Sequence, residues 1–193
     1  MFKNLKTYIS PIFAGILISF GGLTYLNVGG VYGSILFSFG LLAIIYYNLS
    51  LFTGQAGFFN VLSRKAWCSL GITYIGNIIG CFIVAMIVGQ HDMASNIIDD
   101  RITDGMLNNC LKAMCCGFIM TLIVQGGRCG NFLLVVFGVA VFILCGFYHS
   151  IADAFYMFTS EGYLVELYWW KYYPLAVLGN FIGCNIPRYL VKQ

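Results

Sequence analysis

Few side chains in this chain are of a type and placement to do chemistry, and those few stand inside apolar sequence. His149 lies in the run Tyr148-His149-Ser150-Ile151-Ala152-Asp153. An imidazole there can be a neutral hydrogen-bond donor or a cation, and can exchange a proton near neutral pH; a satisfied core histidine is the other reading. Ser150 and Asp153 have the Ser-x-x-Asp spacing of a capping box, with the carboxylate against the positive end of a helix dipole. The alternative for Asp153 is a carboxylate coupled to His149 that favours its charged form. Thr53, in Asn48-Leu49-Ser50-Leu51-Phe52-Thr53-Gly54-Gln55, can cap a restarting helix and can offer its hydroxyl to a ligand. Lys112 either pairs with nearby carboxylates or presents its positive charge to anions. Asn77 and Asn180 read as partners for interrupted backbone rather than as ligands. The eight cysteines include no Cys-x-x-Cys, and His91 and His149 form no cluster with them. They read as small apolar residues, so no metal and no disulfide is expected. No cofactor motif and no catalytic cluster appears, which argues against an enzyme.

The elements that must position these groups follow from composition. Of 193 residues, 60% are hydrophobic and 9% charged, against about 25% charged in soluble domains. So little charge cannot cover a water-facing surface, and disorder is excluded by the same figures. The net charge of +3 comes with no basic cluster, so nucleic acid is not an expected partner. An all-α membrane protein remains. Apolar stretches run over about 11–30, 31–62, 66–89, 106–125, 131–159 and 169–189. Six transmembrane helices in a single domain, 1–193, are predicted; the first is a retained helix rather than a cleaved signal. Six spans put Lys3, Lys6, Arg64, Lys65, Arg128, Arg188 and Lys192 on one side, and Arg101 and Lys171 with six acids on the other. That asymmetry places both termini in the cytoplasm of an inner-membrane protein. Trp169, Trp170, Tyr172 and Tyr173 read as an aromatic belt at the outer end of the sixth span.

Two internal echoes have nearly the same spacing, 103 and 102 residues. Gly76-Asn77-Ile78-Ile79-Gly80-Cys81 returns as Gly179-Asn180-Phe181-Ile182-Gly183-Cys184, and Ala14-Gly15-Ile16-Leu17-Ile18-Ser19 as Cys116-Gly117-Phe118-Ile119-Met120-Thr121. Two three-span repeats, about 9–90 and 104–190, are predicted. An odd number of spans makes them inverted, with a transport path at their interface. The second and fifth spans are too long: the uncharged stretch 31–63 would make a straight helix of ~50 Å against a hydrocarbon core of ~30 Å. Polar interruptions around 48–55 and 148–153 therefore read as helix breaks, tolerable only against protein or water. A single tilted helix is the bland alternative.

The quoted segments resemble the formate/nitrite transporter family. The match runs through Phe52-Thr53-Gly54, Tyr74-x-Gly76-Asn77-x-x-Gly80, Gly146-Phe147-x-His149-Ser150-Ile151-Ala152 and Pro174-x-x-x-Leu178-Gly179-Asn180-x-Ile182-Gly183, in family order. The resemblance implies an aquaporin-like protomer, a homopentamer, no cofactor, and a channel or proton-coupled transporter for formate, nitrite, hydrosulfide or similar weak-acid anions. It also implies that Thr53 and His149 face each other across the path, that Lys112 stands near the outer vestibule, and that Phe37, Leu41, Leu51, Met120 and Phe142 line hydrophobic slits. The chain departs from the family where it has Ser50 in place of a common acid, and Gly117 and Asp153 where members usually have Asn. A neutral-solute channel for water, urea or ammonia is the alternative, though the Asn-Pro dipeptide of aquaporins is missing. A non-transporting scaffold is a further one, against which the paired breaks argue.

Overall fold

The computed structural model describes residues 2–58 and 62–189. Among the charges used to orient the chain, Lys192 and the side chains of Lys3 and Lys6 lie outside the described residues. The described residues form helices and connections, with no strand. They are α1 (Phe2–Val28), α2 (Gly30–Tyr46), α3 (Phe52–Ala56), α4 (Arg64–Val88), α5 (Asp92–Thr103), α6 (Gly105–Arg128), α7 (Phe132–Leu144), α8 (Ser150–Phe158), α9 (Tyr163–Leu167), a π-helical turn (Tyr168–Tyr172), α10 (Tyr173–Asn185) and a 3₁₀ turn (Ile186–Tyr189).

Helices α1, α4 and α6 are each long and apolar enough to cross a membrane, and α2 and α7 are shorter apolar helices. The long second and fifth stretches are broken as expected, α2 from α3 and α7 from α8. Both breaks have the same backbone. Tyr47 N–H reaches Ala43 O and Cys145 N–H reaches Val141 O, each at 2.9 Å. Leu49 N–H then folds back to Ile44 O and Phe147 N–H to Phe142 O, again at 2.9 Å. Between them Asn48 (φ 52°) and Gly146 (φ 66°) take left-handed conformations, which glycine reaches freely and asparagine more readily than other residues. Leu51 and His149 are extended and start the next helix.

Interrupted backbone in an apolar interior needs partners, and two asparagines supply them. Asn77 Oδ1 accepts from Phe52 N–H at 2.8 Å while its Nδ2 donates to Pro11 O (2.8 Å) and Ser50 O (2.9 Å). Asn180 Oδ1 accepts from Ser150 N–H at 2.7 Å while its Nδ2 donates to Ala113 O (2.8 Å) and Tyr148 O (2.7 Å). Two cysteines cross-link the halves non-covalently. Cys81 of α4 donates to Ile151 O in α8 at 3.3 Å, and Cys184 of α10 donates to Thr53 O in α3 at 3.4 Å.

Glycine allows the supporting helices to come close enough. A Cβ at Gly15 would strike the Asn77 carbonyl, and one at Gly117 the Asn180 carbonyl. Thus α1 packs on α4, and α6 on α10, at the level of the asparagines.

The acidic stretch after α4, which falls between the expected spans, is the helix α5, capped by His91 Nδ1 accepting from Met93 N–H at 3.3 Å. One expectation is corrected. In the aromatic belt, Trp170 is exposed but Tyr172 and Tyr173 are buried. The π-helical turn inserts an extra residue and rotates them inward, where Tyr172 stacks on Tyr168.

Candidate functional site

The two breaks bring their polar side chains together at the centre of the molecule. Thr53, on the first turn of α3, and His149, capping α8, are 96 residues apart in sequence and meet at 2.8 Å, Oγ1 to Nε2. His149 Nδ1 accepts from Ala152 N–H at 3.2 Å. That bond needs a lone pair on Nδ1, so the ring is neutral and carries its proton on Nε2, which donates to the Thr53 oxygen. The Thr53 hydroxyl hydrogen is left to point at a ligand. Thr53 is fully buried and His149 is 2% exposed.

Apolar side chains close on this pair from both sides. Phe142 stacks on the His149 ring with centroids 5.9 Å apart, and Phe37 meets Phe142 edge-on at 6.2 Å. Beyond them opens a cavity of about 160 Å³ lined by Phe37, Phe142, Tyr25, Tyr156, His149 and Arg101, among others. On the far side Leu41, Leu51, Gly54, Val124 and Arg128 line a space of only about 20 Å³, room for roughly one water. Four of the five expected slit residues thus fall into two sets flanking the Thr53–His149 pair. Met120 is fully buried and lines neither space.

The surroundings of Asp153 differ from both readings of it, while Lys112 takes the paired one of its two. Asp153 does not form a capping box with Ser150. Instead Arg101 Nε and Nη2 both donate to its Oδ1, at 2.9 and 2.7 Å, and the Tyr168 hydroxyl donates to its Oδ2 at 2.8 Å. The N-terminus of α8 is capped by His149 and Asn180 instead, and among the described residues Ser150 Oγ has no partner. Asp153 does not bond His149, so its carboxylate is neutralised by an arginine, as a buried anion beside an apolar path requires. Nor does Thr53 cap α3; Leu51 is its N-cap residue, with no side-chain bond. Lys112 bonds Asp104, whose same oxygen accepts from the Tyr148 hydroxyl. Lys112 is thus linked through Asp104 to Tyr148, the residue before His149, and is not among those lining the cavity beside Phe142.

Arg101, Asp104, Tyr148 and Arg128 were not legible as site residues. Arg101 lies with its guanidinium 4.1 Å over the Tyr148 ring. Arg128, at the end of α6, donates to Gly54 O at 3.2 Å and covers the Phe58 ring at 4.5 Å. A cue for Arg101 was present: Asp92 and Arg101 sit at the two ends of a helical stretch, where the dipole favours them.

Among the described residues no group of three or more His, Cys, Asp or Glu side chains could hold a metal. The sequence model described as "Formate/nitrite transporter" matches residues 2–190. No curated protein matches by sequence. Solved structures share the fold. One is a pentameric formate channel with formate bound, at 17% identity and TM-score 0.84, covering 96% of this chain and 94% of that one. Another is an FNT family ion channel, at 20% identity and TM-score 0.82, covering 97% and 88%.

Proposed function

The chain belongs to the formate/nitrite transporter family, and we propose that it passes small monovalent weak-acid anions, of the formate, nitrite or hydrosulfide class, across the cytoplasmic membrane. The observation that carries the reading is the Thr53–His149 hydrogen bond at 2.8 Å, a polar station enclosed by Phe37 and Phe142 on one side and Leu41 and Leu51 on the other. A bare anion is costly to move through apolar slits, whereas its protonated acid is neutral. At the station the Nε2–H is donated to the Thr53 oxygen and so turns the Thr53 hydroxyl hydrogen towards the anion, and the α3 and α8 N-termini add positive potential. The anion reaches this point, takes a proton, and leaves as the neutral acid. Because Nδ1 is committed to the α8 cap and the Nε2–H to Thr53, His149 stays neutral and acts by aiming the Thr53 hydroxyl, and the proton taken up by the anion is a solvent proton that enters with it from the external side. Lys112 acts by offsetting Asp104 and holding it against Tyr148.

The architecture we propose is six spans: α1, α2–α3, α4, α6, α7–α8 and α10, in two inverted repeats. The equivalent asparagine, cysteine and break geometries support it, and both termini face the cytoplasm. The protomers form a homopentamer with one path each, as in the pentameric formate channel of the same fold. Exposed apolar faces such as Ile75, Ile79, Phe82 and Met86 on α4 suit lipid or a neighbouring protomer.

The test is uptake of formate, nitrite, hydrosulfide, acetate and lactate into proteoliposomes at two external pH values. Saturable uptake of the smaller anions that rises as external pH falls is expected. Absence of any anion flux, with swelling in urea or glycerol, would overturn the reading.

A further inference from the structure

The outer cavity contains one cation whose hydrogen-bonding capacity is only partly used. Arg101 is 12% exposed at its side chain and lines the cavity together with His149. A guanidinium has five N–H donors in a fixed fork. Its Nε–Nη2 edge is spent on Asp153 Oδ1. Among the described residues nothing bonds Nη1, so the Nη1–Nη2 edge is open.

Everything around this group fixes its orientation. Asp153 is fully buried, and its second oxygen is held by Tyr168. The Tyr148 ring covers one face of the guanidinium. The Arg101 carbonyl accepts from Asn109 Nδ2, tying the end of α5 to α6. The net charge does not provide long-range attraction, because Arg101 faces buried Asp153 and the cavity also has exposed Asp100 on its wall. Lys112, the other cation nearby, is paired with Asp104. Capture at this mouth therefore depends on short-range hydrogen bonds.

We propose that Arg101 is the outer docking residue of the path, that Asp153 is the positioning residue which aims it, and that the open edge selects planar two-oxygen anions, such as formate and nitrite, over hydrosulfide. Two parallel N–H groups match two oxygens of one ligand, whereas a single sulfur takes up only part of that geometry. This rests on the anion-path reading above and deepens it by naming the substrate class.

The experiment measures formate and hydrosulfide uptake by wild-type protein and by Arg101→Lys, Asp153→Asn and Arg101→Ala/Asp153→Asn variants in proteoliposomes. Lysine keeps the charge but loses the open edge, so Arg101→Lys should weaken apparent formate affinity about tenfold with its maximal rate within about threefold, and change hydrosulfide far less. Asp153→Asn keeps an oxygen acceptor and removes the compensating charge. It should tighten apparent formate affinity severalfold, most at low ionic strength. The double variant leaves no unpaired buried charge and should still lose formate affinity about tenfold. Wild-type formate affinity in the double variant would overturn the proposal and make Arg101 a structural counter-ion. If the double variant is not recovered, an unchanged formate affinity in Arg101→Lys overturns it equally. Wild-type liposomes that carry no anion would instead overturn the underlying path reading.

Discussion

At the residue scale, His149 combines two tasks that constrain one another. Its Nδ1 caps α8 through Ala152 and its Nε2–H serves the path through Thr53. Protonating Nδ1 would break the cap and place a cation at the positive end of a helix, so the neutral tautomer belongs to the resting fold. Thr53→Val keeps the shape and removes the hydroxyl; it should lower formate uptake about tenfold, roughly the value of one buried hydrogen bond to an anion, as initial rates in proteoliposomes would register. Asn180→Leu should destabilise the fold by about 3 kcal/mol, because it removes three buried hydrogen bonds worth ~1 kcal/mol each. Thermal unfolding in detergent checks this, and an unchanged melting temperature would argue that water replaces the amide. The role of the two asparagines was legible in the sequence because each repeats inside a Gly-Asn-x-x-Gly-Cys or closely similar setting. The Arg101–Asp153 pair was not. Its members are 52 residues apart, and the local Ser-x-x-Asp spacing offered a capping box that tertiary contact with the arginine overrides.

At the element scale, the molecule depends on helices that stop in the middle of an apolar layer. The excess length of the uncharged stretch 31–63 made the first break legible, and its polar echo at 148–153 the second. The reciprocal cysteine bonds were not legible, since a buried cysteine reads as a small apolar residue until its carbonyl partner is known. Helix α5 escaped for another reason. Its sequence is polar outside the pattern of a membrane span, and its signals are the Asp92 and Arg101 termini and the inward Ala94 and Ile98. Close packing of α6 on α10 also belongs to this scale. Gly117→Val should force the helices apart by pushing on the Asn180 carbonyl, displacing the residue that holds the second break. Loss of a discrete oligomer in size-exclusion chromatography is expected; a normal elution profile with wild-type transport would show that α10 can shift without disturbing the break.

At the scale of the whole molecule, the proposed path places apolar side chains on both sides of one polar station, which would make it a filter for small anions that can be neutralised by a proton. Phe37→Ala or Phe142→Ala should open the outer slit and raise lactate uptake relative to formate by about tenfold or more, read from parallel uptake curves. Unchanged size selectivity in both would remove these rings from the constriction. Mass measurement of the detergent-solubilised protein should return five protomers. In the proposed path His149 works as a neutral hydrogen-bond donor between two apolar slits, and the pH dependence of formate uptake by His149→Asn and His149→Phe tests this. Asparagine supplies an N–H donor and an N-cap but does not titrate, so reduced uptake with the wild-type pH profile is expected. Phenylalanine supplies neither, and uptake should fall at least tenfold at every pH. Wild-type uptake by His149→Phe, or a His149→Asn protein whose uptake no longer responds to pH, would show that the path does not run on a neutral His149 donor.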